Sequence, residues 1–257
     1  MGYADLHIHS VYSHDGTSTI PAILKYVADH TDLNVIAITD HDSIAGIKEG
    51  LLLGPKYGIE VIAGCEVSTR DGHLLALFIN DRIPSGLTLA ETVRRVGRMG
   101  GICVAPHPEA KWTSSLSAEA IGHALSEPGV ANVLVGVETV NGGLVYTRSN
   151  LAAMHLAERL NLASVGNSDA HILKMIGQGS TIFEGKTAQD LRSALINHAT
   201  HARSGQGLGG AQIIKQWFPR FVVRKLGWVD WNADPSAPLR YIRMRKAMMY
   251  SAILQAK

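Results

Sequence analysis

Short apolar runs rich in Val, Ile and Ala recur along the chain, and each is followed by a stretch whose apolar positions have helical spacing. The runs fall at residues 3–9, 35–40, 61–68, 73–79, 102–106, 133–140 and 163–168. Between most of them helices are predicted, at 21–30, 43–53, 87–99, 117–125, 148–160 and 188–198. Ser117 and Thr187 are suitable helix N-caps, and Asp190 three residues after Thr187 approximates a capping box. Nearly continuous apolar strands alternating with helices predict a parallel α/β sheet covered on both faces. Some seven such units favour closure into a barrel over an open sheet.

After His201 the pattern changes. The stretch SGQGLGG at 204–210 has the composition of a hinge. The segment beyond it is basic and aromatic, and holds Trp217, Trp228 and Trp231, three of the four tryptophans. The expected organisation is a catalytic body at 1–203 and a linker with a basic extension at 204–257. Charge divides the same way. The formal net charge of +2 conceals nine Lys and Arg against two Asp from Ala211 onward, which leaves residues 1–210 with fifteen basic and twenty acidic groups. Clustered acids suit cations, and a basic tail suits phosphate-bearing partners or anionic surfaces.

With 257 residues and 46% hydrophobic content, one barrel-sized domain can bury a large core. The only cysteines, Cys65 and Cys103, lie inside apolar runs and suggest neither a disulfide framework nor a cysteine zinc site. The chain opens MGYADLHIHS without a charged and apolar leader, and no apolar stretch is long enough to span a bilayer. The expected location is therefore the cytoplasm.

The chemistry concentrates at the ends of the apolar runs. In DLHIHS, His7 and His9 are two apart and project together from an extended chain, with Leu6 and Ile8 directed oppositely into apolar packing. Two imidazoles at a strand end, followed by Asp15-Gly16, form a candidate metal site. A single buried histidine is more often just hydrogen-bonded; a pair without partners would cost stability. TDHD closes the second run, where Asp42 or Ser43 could cap the next helix while His41 binds metal. Glu66 ends the third run and is suited to bridging two cations, the alternative being an ion pair with Arg70. His73 opens the fourth run. In VAPHPE, His107 lies between two prolines that restrict the backbone to extended geometry and aim the ring inward. In NSDAH, Asp169 and His171 are again two apart, and an Asp there can hold metal and also exchange a proton with bound water. Of the twelve histidines, His14 reads as a bystander, and His30, His123, His155, His198 and His201 as surface residues.

Together, DLHIHSVYSHDG, ITDHDS, GCEVS, APHP and NSDAH closely resemble the polymerase-and-histidinol-phosphatase (PHP) superfamily of metal-dependent phosphoesterases, over about residues 3–185. The resemblance implies a distorted (β/α)7 barrel holding two or three divalent ions, Zn, Mn or Fe, at the carboxyl ends of its strands. It implies ligands at His7, His9, Asp15, His41, Glu66, His107, Asp169 and His171, with His73 at a position often taken by a further ligand. The sixth strand departs from the family pattern, offering Glu138 or Asn141 where a histidine is common.

The function so implied is hydrolysis of a phosphate ester, the substrate being a nucleotide, a short oligonucleotide or a phosphorylated metabolite. Clustered cations bring the pKa of a bridging water near neutrality and offset phosphoryl charge, and Asp169 is the candidate to manage the proton. Arg70, Lys111 and Lys174 lie after motif-bearing strands and are candidate phosphate contacts. Two rival readings are a metal-dependent amidohydrolase and a barrel whose tail serves RNA or membrane targeting. The bland alternative for the tail is an arm that packs on the barrel or on a second copy of the chain.

Overall fold

The computed structural model describes residues 1–111, 113–143, 147–205, 207 and 210–226. Nine strands form one curled sheet in the order β7-β6-β5-β4-β3-β2-β1-β8-β9. They are β1 (Gly2–Ile8), β2 (Val35–Ile38), β3 (Glu60–Ser68), β4 (His73–Leu77), β5 (Ile102–Ala105), β6 (Leu134–Asn141), β7 (Ala163–Asn167), β8 (Gly179–Phe183) and β9 (His201–Ser204). The helices are α1 (Ile20–His30), α2 (Ile47–Leu53), α3 (Leu89–Arg98), α4 (Ala118–Ser126), α5 (Thr147–Leu160), α6 (Ala188–Ile196) and α7 (Gly210–Lys225). Ser117 and Thr187 cap α4 and α6 as their sequences predict, the latter in a full capping box with Asp190, and Thr88 with Glu91 forms another at α3.

The sheet is not wholly parallel. β1, β2 and β3 are parallel, as are β5, β6 and β7, but β4 runs antiparallel to both of its neighbours. Only residues 69–72 join β3 to β4, too few for a crossover, which makes a hairpin the available connection. This reversal places the first residue of β4, His73, opposite Ser68 at the far end of β3. Two further strands, β8 and β9, extend the sheet antiparallel beyond β1.

The barrel closes where β7 meets β1 and β8, largely through side chains. The Asn167 carboxamide accepts the Leu6 N–H at 2.8 Å, Thr181 Oγ1 accepts the Gly166 N–H at 3.1 Å, and the same hydroxyl donates to the Gly166 carbonyl at 2.9 Å. Just beyond the strands, Ala170 N–H donates to the His7 carbonyl and His9 N–H to the Ala170 carbonyl. The approach needs glycine: a Cβ on Gly166 would lie 2.4 Å from the Ser180 carbonyl oxygen, and one on Gly179 would lie 2.0 Å from that of Asn167.

Apolar clusters line both sides of this wall. One joins Ala4, Leu6, Val35, Leu75, Val104 and Val165 with Leu191 and Leu195 of α6. α6 lies at the amino ends of the strands, where Ala188 N–H donates to Glu60 and the Arg192 guanidinium to the Gly100 carbonyl. The carboxyl ends are left for polar groups. Leu6 and Ile8 are both fully buried but in different clusters, because β1 shifts register between Asp5 and Ile8. Both cysteines are buried and unpaired, and burial pushes the Cys65 thiol up to about 12.

α2 starts at Ile47 rather than near Ser43, with no side-chain cap. Asp42 instead accepts the Ser68 N–H at 2.8 Å, stitching β2's exit to β3. Later in the chain, α7 packs on the α1 side of the barrel, with Ile213 buried and Trp217 against the same apolar cluster. Trp228 and Trp231 lie outside the described residues. No helix among the described residues is long and apolar enough to cross a membrane.

Candidate metal centre

All nine side chains singled out in the sequence meet at one mouth of the barrel, formed by the carboxyl ends of the parallel strands and the amino end of β4. His7 and His9 leave β1, His41 comes after β2, Glu66 sits on β3, His73 opens β4, His107 comes after β5, and Asp169 and His171 come after β7. Asp15 reaches in from the loop between β1 and α1. Three residues at these exits, Asp42, His107 and Asp169, hold left-handed backbone with φ of 48°, 30° and 52°. For non-glycine residues such conformations cost roughly 1–3 kcal/mol each and gather at functional sites. His107 is therefore not held extended by Pro106 and Pro108. Its N–H donates to Glu138 Oε2 at 2.7 Å, and that bond fixes the turn.

Glu66 is the hub. Its Oε2 lies 3.2 Å from His7 Nε2, 3.3 Å from His9 Nε2 and 3.3 Å from His41 Nδ1. Its Oε1 lies 2.9 Å from His73 Nδ1 and 3.2 Å from His107 Nε2. The carboxylate is buried among imidazoles, and Arg70 is exposed, so the alternative ion pair between them is not formed. Asp169 Oδ1 approaches His7 and His9 Nε2 at 3.4 and 3.3 Å. Asp15 Oδ2 lies 2.9 Å from His171 Nε2 and 3.4 Å from His41 Nε2. Four overlapping sets of ligand atoms result: His9 with Asp15, His41 and His171; His7 with His9 and Glu66; His7 with His107 and Asp169; and His41 with Glu66 and His73.

The outward ring nitrogens are held from behind. His7 Nδ1 donates to Glu138 Oε1 at 3.1 Å, His171 Nδ1 donates to the Asp169 carbonyl at 2.9 Å, and His107 Nδ1 is 2.9 Å from Ser115 Oγ. Ser13 Oγ donates to Asp15 Oδ1 at 2.7 Å and accepts the His41 N–H at 3.3 Å. Such outer partners fix ring orientation and direct the opposite nitrogen to a metal. Glu138, buried, accepts from His7, from the His107 N–H and from the carboxamides of Asn141 and Asn167. It stands behind the four sets and belongs to none of them. An acid inside the apolar run VLVGVETV was the sequence signal for it, whereas Ser13 and Ser115 carried none.

The electrostatics are set by this packing. Burial pulls the His7 and His107 imidazoles down, but the nearby carboxylates of Glu66 and Asp169 reverse the effect and leave both above the ordinary histidine value. His171 is pushed up to about 9, burial being outweighed by Asp15. His9 drops to about 4, through burial and the adjacent positive His171. Burial disfavours the charges of Glu66 and Asp169, yet the surrounding imidazoles hold both well below the usual carboxylate range. The field that retains protons on these rings is the field a divalent cation meets, and the two compete.

The residues fit such ions. Nε2 of His7 and of His9 are buried without a hydrogen bond, although carboxylate oxygens lie 3.2–3.4 Å away. Buried nitrogens are seldom left so, and their convergence with oxygens on common points is ligand geometry. Imidazole and carboxylate donors suit Zn, Mn and Fe. His14 stays 66% exposed at 3.7 Å from Asp15, and His30, His123, His155, His198 and His201 are exposed on the surface. Arg70, Lys111 and Lys174 lie exposed in the segments after β3, β5 and β7.

Comparison with known proteins bears on this arrangement. The pattern of the PHP domain matches residues 5–139, and a second pattern described as PHP-associated matches 147–200. A 5'-3' exoribonuclease of Haemophilus influenzae is 28% identical over 205 residues, covering 78% of this chain and 65% of the relative. An uncharacterized protein of Methanocaldococcus jannaschii is 39% identical over 114 residues, or 41% of this chain and 67% of its own length. A Bacteroides vulgatus crystal structure, described as a two-domain protein containing a predicted PHP-like metal-dependent phosphoesterase, shares the fold with a TM-score of 0.65 at 23% identity. That likeness covers 85% of this chain and 69% of the other.

Proposed function

The chain belongs to the PHP domain family, and on that premise we propose that it is a metal-dependent phosphoesterase. The observation that carries this reading is Glu66, whose two oxygens are shared among five imidazoles at the mouth of the barrel. One carboxylate facing two sets of nitrogens is what a pair of neighbouring divalent ions requires. His7, His9, Asp15, His41, Glu66, His73, His107, Asp169 and His171 are the ligands in this reading. When bound, the ions acidify a water and offset charge on the phosphoryl oxygens.

The chain's own groups do the remaining work. Asp169 holds and moves a proton at Oδ1 or Oδ2. The Asn141 carboxamide donates to Oδ2 at 3.2 Å and keeps that carboxylate turned toward His7 and His9. Glu138 holds His7 so that Nε2 faces inward. Arg70, Lys111 and Lys174 are the candidates to receive the non-reacting phosphate groups of the substrate.

Within the phosphate esters, a short nucleic acid or nucleotide is favoured by the name of the Haemophilus influenzae relative, a 5'-3' exoribonuclease. Residues 1–203 form the catalytic body and 204–257 the extension, which is supported by both family segments ending at or before residue 200. The test is to purify the protein without chelator, determine its metal content by elemental analysis, and assay phosphomonoesters, phosphodiesters, short RNA and amides. Two or three divalent ions per chain with turnover of a phosphate ester are expected. Turnover of amides alone would favour the amidohydrolase reading, and undiminished turnover by metal-stripped protein would overturn the proposal.

A further inference from the structure

Asp15 lies midway along the loop that joins β1 to α1, several residues from either element. Residues 9–19 form neither helix nor strand. The start of the loop is pinned by Ser10, whose N–H and hydroxyl donate to Asp40 at 2.6 and 2.7 Å. Beyond it the backbone bonds are Val11 N–H to the Ser18 carbonyl, Ser13 N–H to that of Ser10, and Thr17 N–H to that of His171. The loop folds back so tightly that a Cβ on Gly16 would lie 2.0 Å from the Ser10 carbonyl oxygen. Glycine is required there, and the turn presents three carbonyls, those of Val11, Asp15 and Gly16, as hydrogen-bond acceptors.

Those three carbonyls are taken by α7. The Trp217 indole N–H donates to the Asp15 carbonyl at 3.0 Å. The Arg224 guanidinium donates to the Val11 carbonyl at 2.5 Å and also to the Gly16 carbonyl, joining the two ends of the turn. The helix is itself anchored, since Ile213 is buried against the α1 cluster and Trp217 stacks on Phe221 at 4.7 Å. α7 lies wholly outside both family segments, the later of which ends at residue 200.

We propose that Trp217 and Arg224 are positioning residues for Asp15, and that α7 is a strap ordering the side of the centre formed by His9, Asp15, His41 and His171. Asp15 reaches His171 and His41 only while the loop backbone stays in one conformation. Without the strap, water would satisfy the three carbonyls, so the body would still fold while the loop became free to sample other shapes. The strap therefore acts on cation affinity at one side of the centre and leaves the other side as it is.

This inference rests on the metal-centre reading above, and its test separates the two. Full-length Trp217→Phe, which keeps an aromatic ring and loses the donor, and Arg224→Met, which keeps the stem and loses every donor, are stripped of metal and titrated with Zn2+ against a chromophoric chelator. One ion is expected to bind about 10-fold more weakly in each variant, with the other ions and the Tm of the metal-free protein unchanged. Hydrogen exchange at residues 11–17 should quicken. Unchanged affinity for every ion, or a uniform loss of all ions together with a lower Tm, would overturn the strap. Failure of the wild type to bind any Zn2+ would instead overturn the metal-centre reading.

Discussion

The inner and outer sides of the centre are built on different supports. His7, Glu66 and His107 stand at strand ends, with side-chain exposures of 0%, 1% and 3%. His41, Asp15 and His171 stand on loops, with 12%, 17% and 22%. His7 and Glu66 are set by their strands, and Glu138 hydrogen-bonds His7 and the His107 N–H from behind. The outer groups depend on a loop, on Ser13 and on contacts from α7. Disturbing the inner side strands buried polar groups and threatens the fold, whereas the outer side can loosen while the fold stands.

The harshest way to break this contrast is to remove what the two sides share. Glu66→Ala is expected to lower turnover of a chromogenic phosphodiester by on the order of 10³-fold, the several kcal/mol that metal ions supply to such reactions. Elemental analysis should show ions lost from both sides; loss of a single ion would mean that Glu66 is not shared. A sharper comparison pairs Glu138→Ala with Asp15→Asn. The first leaves His7 Nδ1, the His107 N–H and two carboxamides without their acceptor and should cost at least about 3 kcal/mol in denaturant unfolding. The second should cost metal-free protein at most roughly 2 kcal/mol, the contribution Asp15 makes by raising His171, while weakening one ion. Equal destabilisation by both would erase the distinction.

The mildest probe is pH. His171 rises from 6.5 unfolded to about 9 in the folded chain, burial being outweighed by Asp15. A raised imidazole stabilises the fold fully below about pH 6.5, and that contribution disappears as pH climbs through about 9. Metal-free protein should therefore lose roughly 2 kcal/mol between those limits, read from urea midpoints. Zn2+-loaded protein, whose ligands are already deprotonated, should lose much less. A flat profile for the metal-free protein would mean that Asp15 and His171 are not paired as described.

The centre was almost wholly legible in the sequence because its groups interrupt apolar strands at their ends, where a polar side chain has no packing role. Other features carried weaker signals. β8 has five residues edged by glycine, and β9 reads HARS and is exposed or half-exposed throughout, so neither shows an apolar run. The reversal of β4 was latent in the four residues separating it from β3. The α7 segment reads in sequence as a basic, aromatic tail, and Pro219 within it weakens any helix assignment. Its partners, the carbonyls of Val11, Asp15 and Gly16, are backbone atoms, which a sequence pattern does not single out.

The closure between β7 and β1 has a consequence for how the protein matures. That edge is held by a few hydroxyl, carboxamide and backbone bonds rather than by a continuous ladder, and His7 and Asp169 face each other across it at 3.4 Å. In the proposed reading both would hold a divalent ion, and such an ion would tie the two sides of the join more firmly than the hydrogen bonds alone. Metal supply would then set how firmly the wall is fastened as well as whether the centre works.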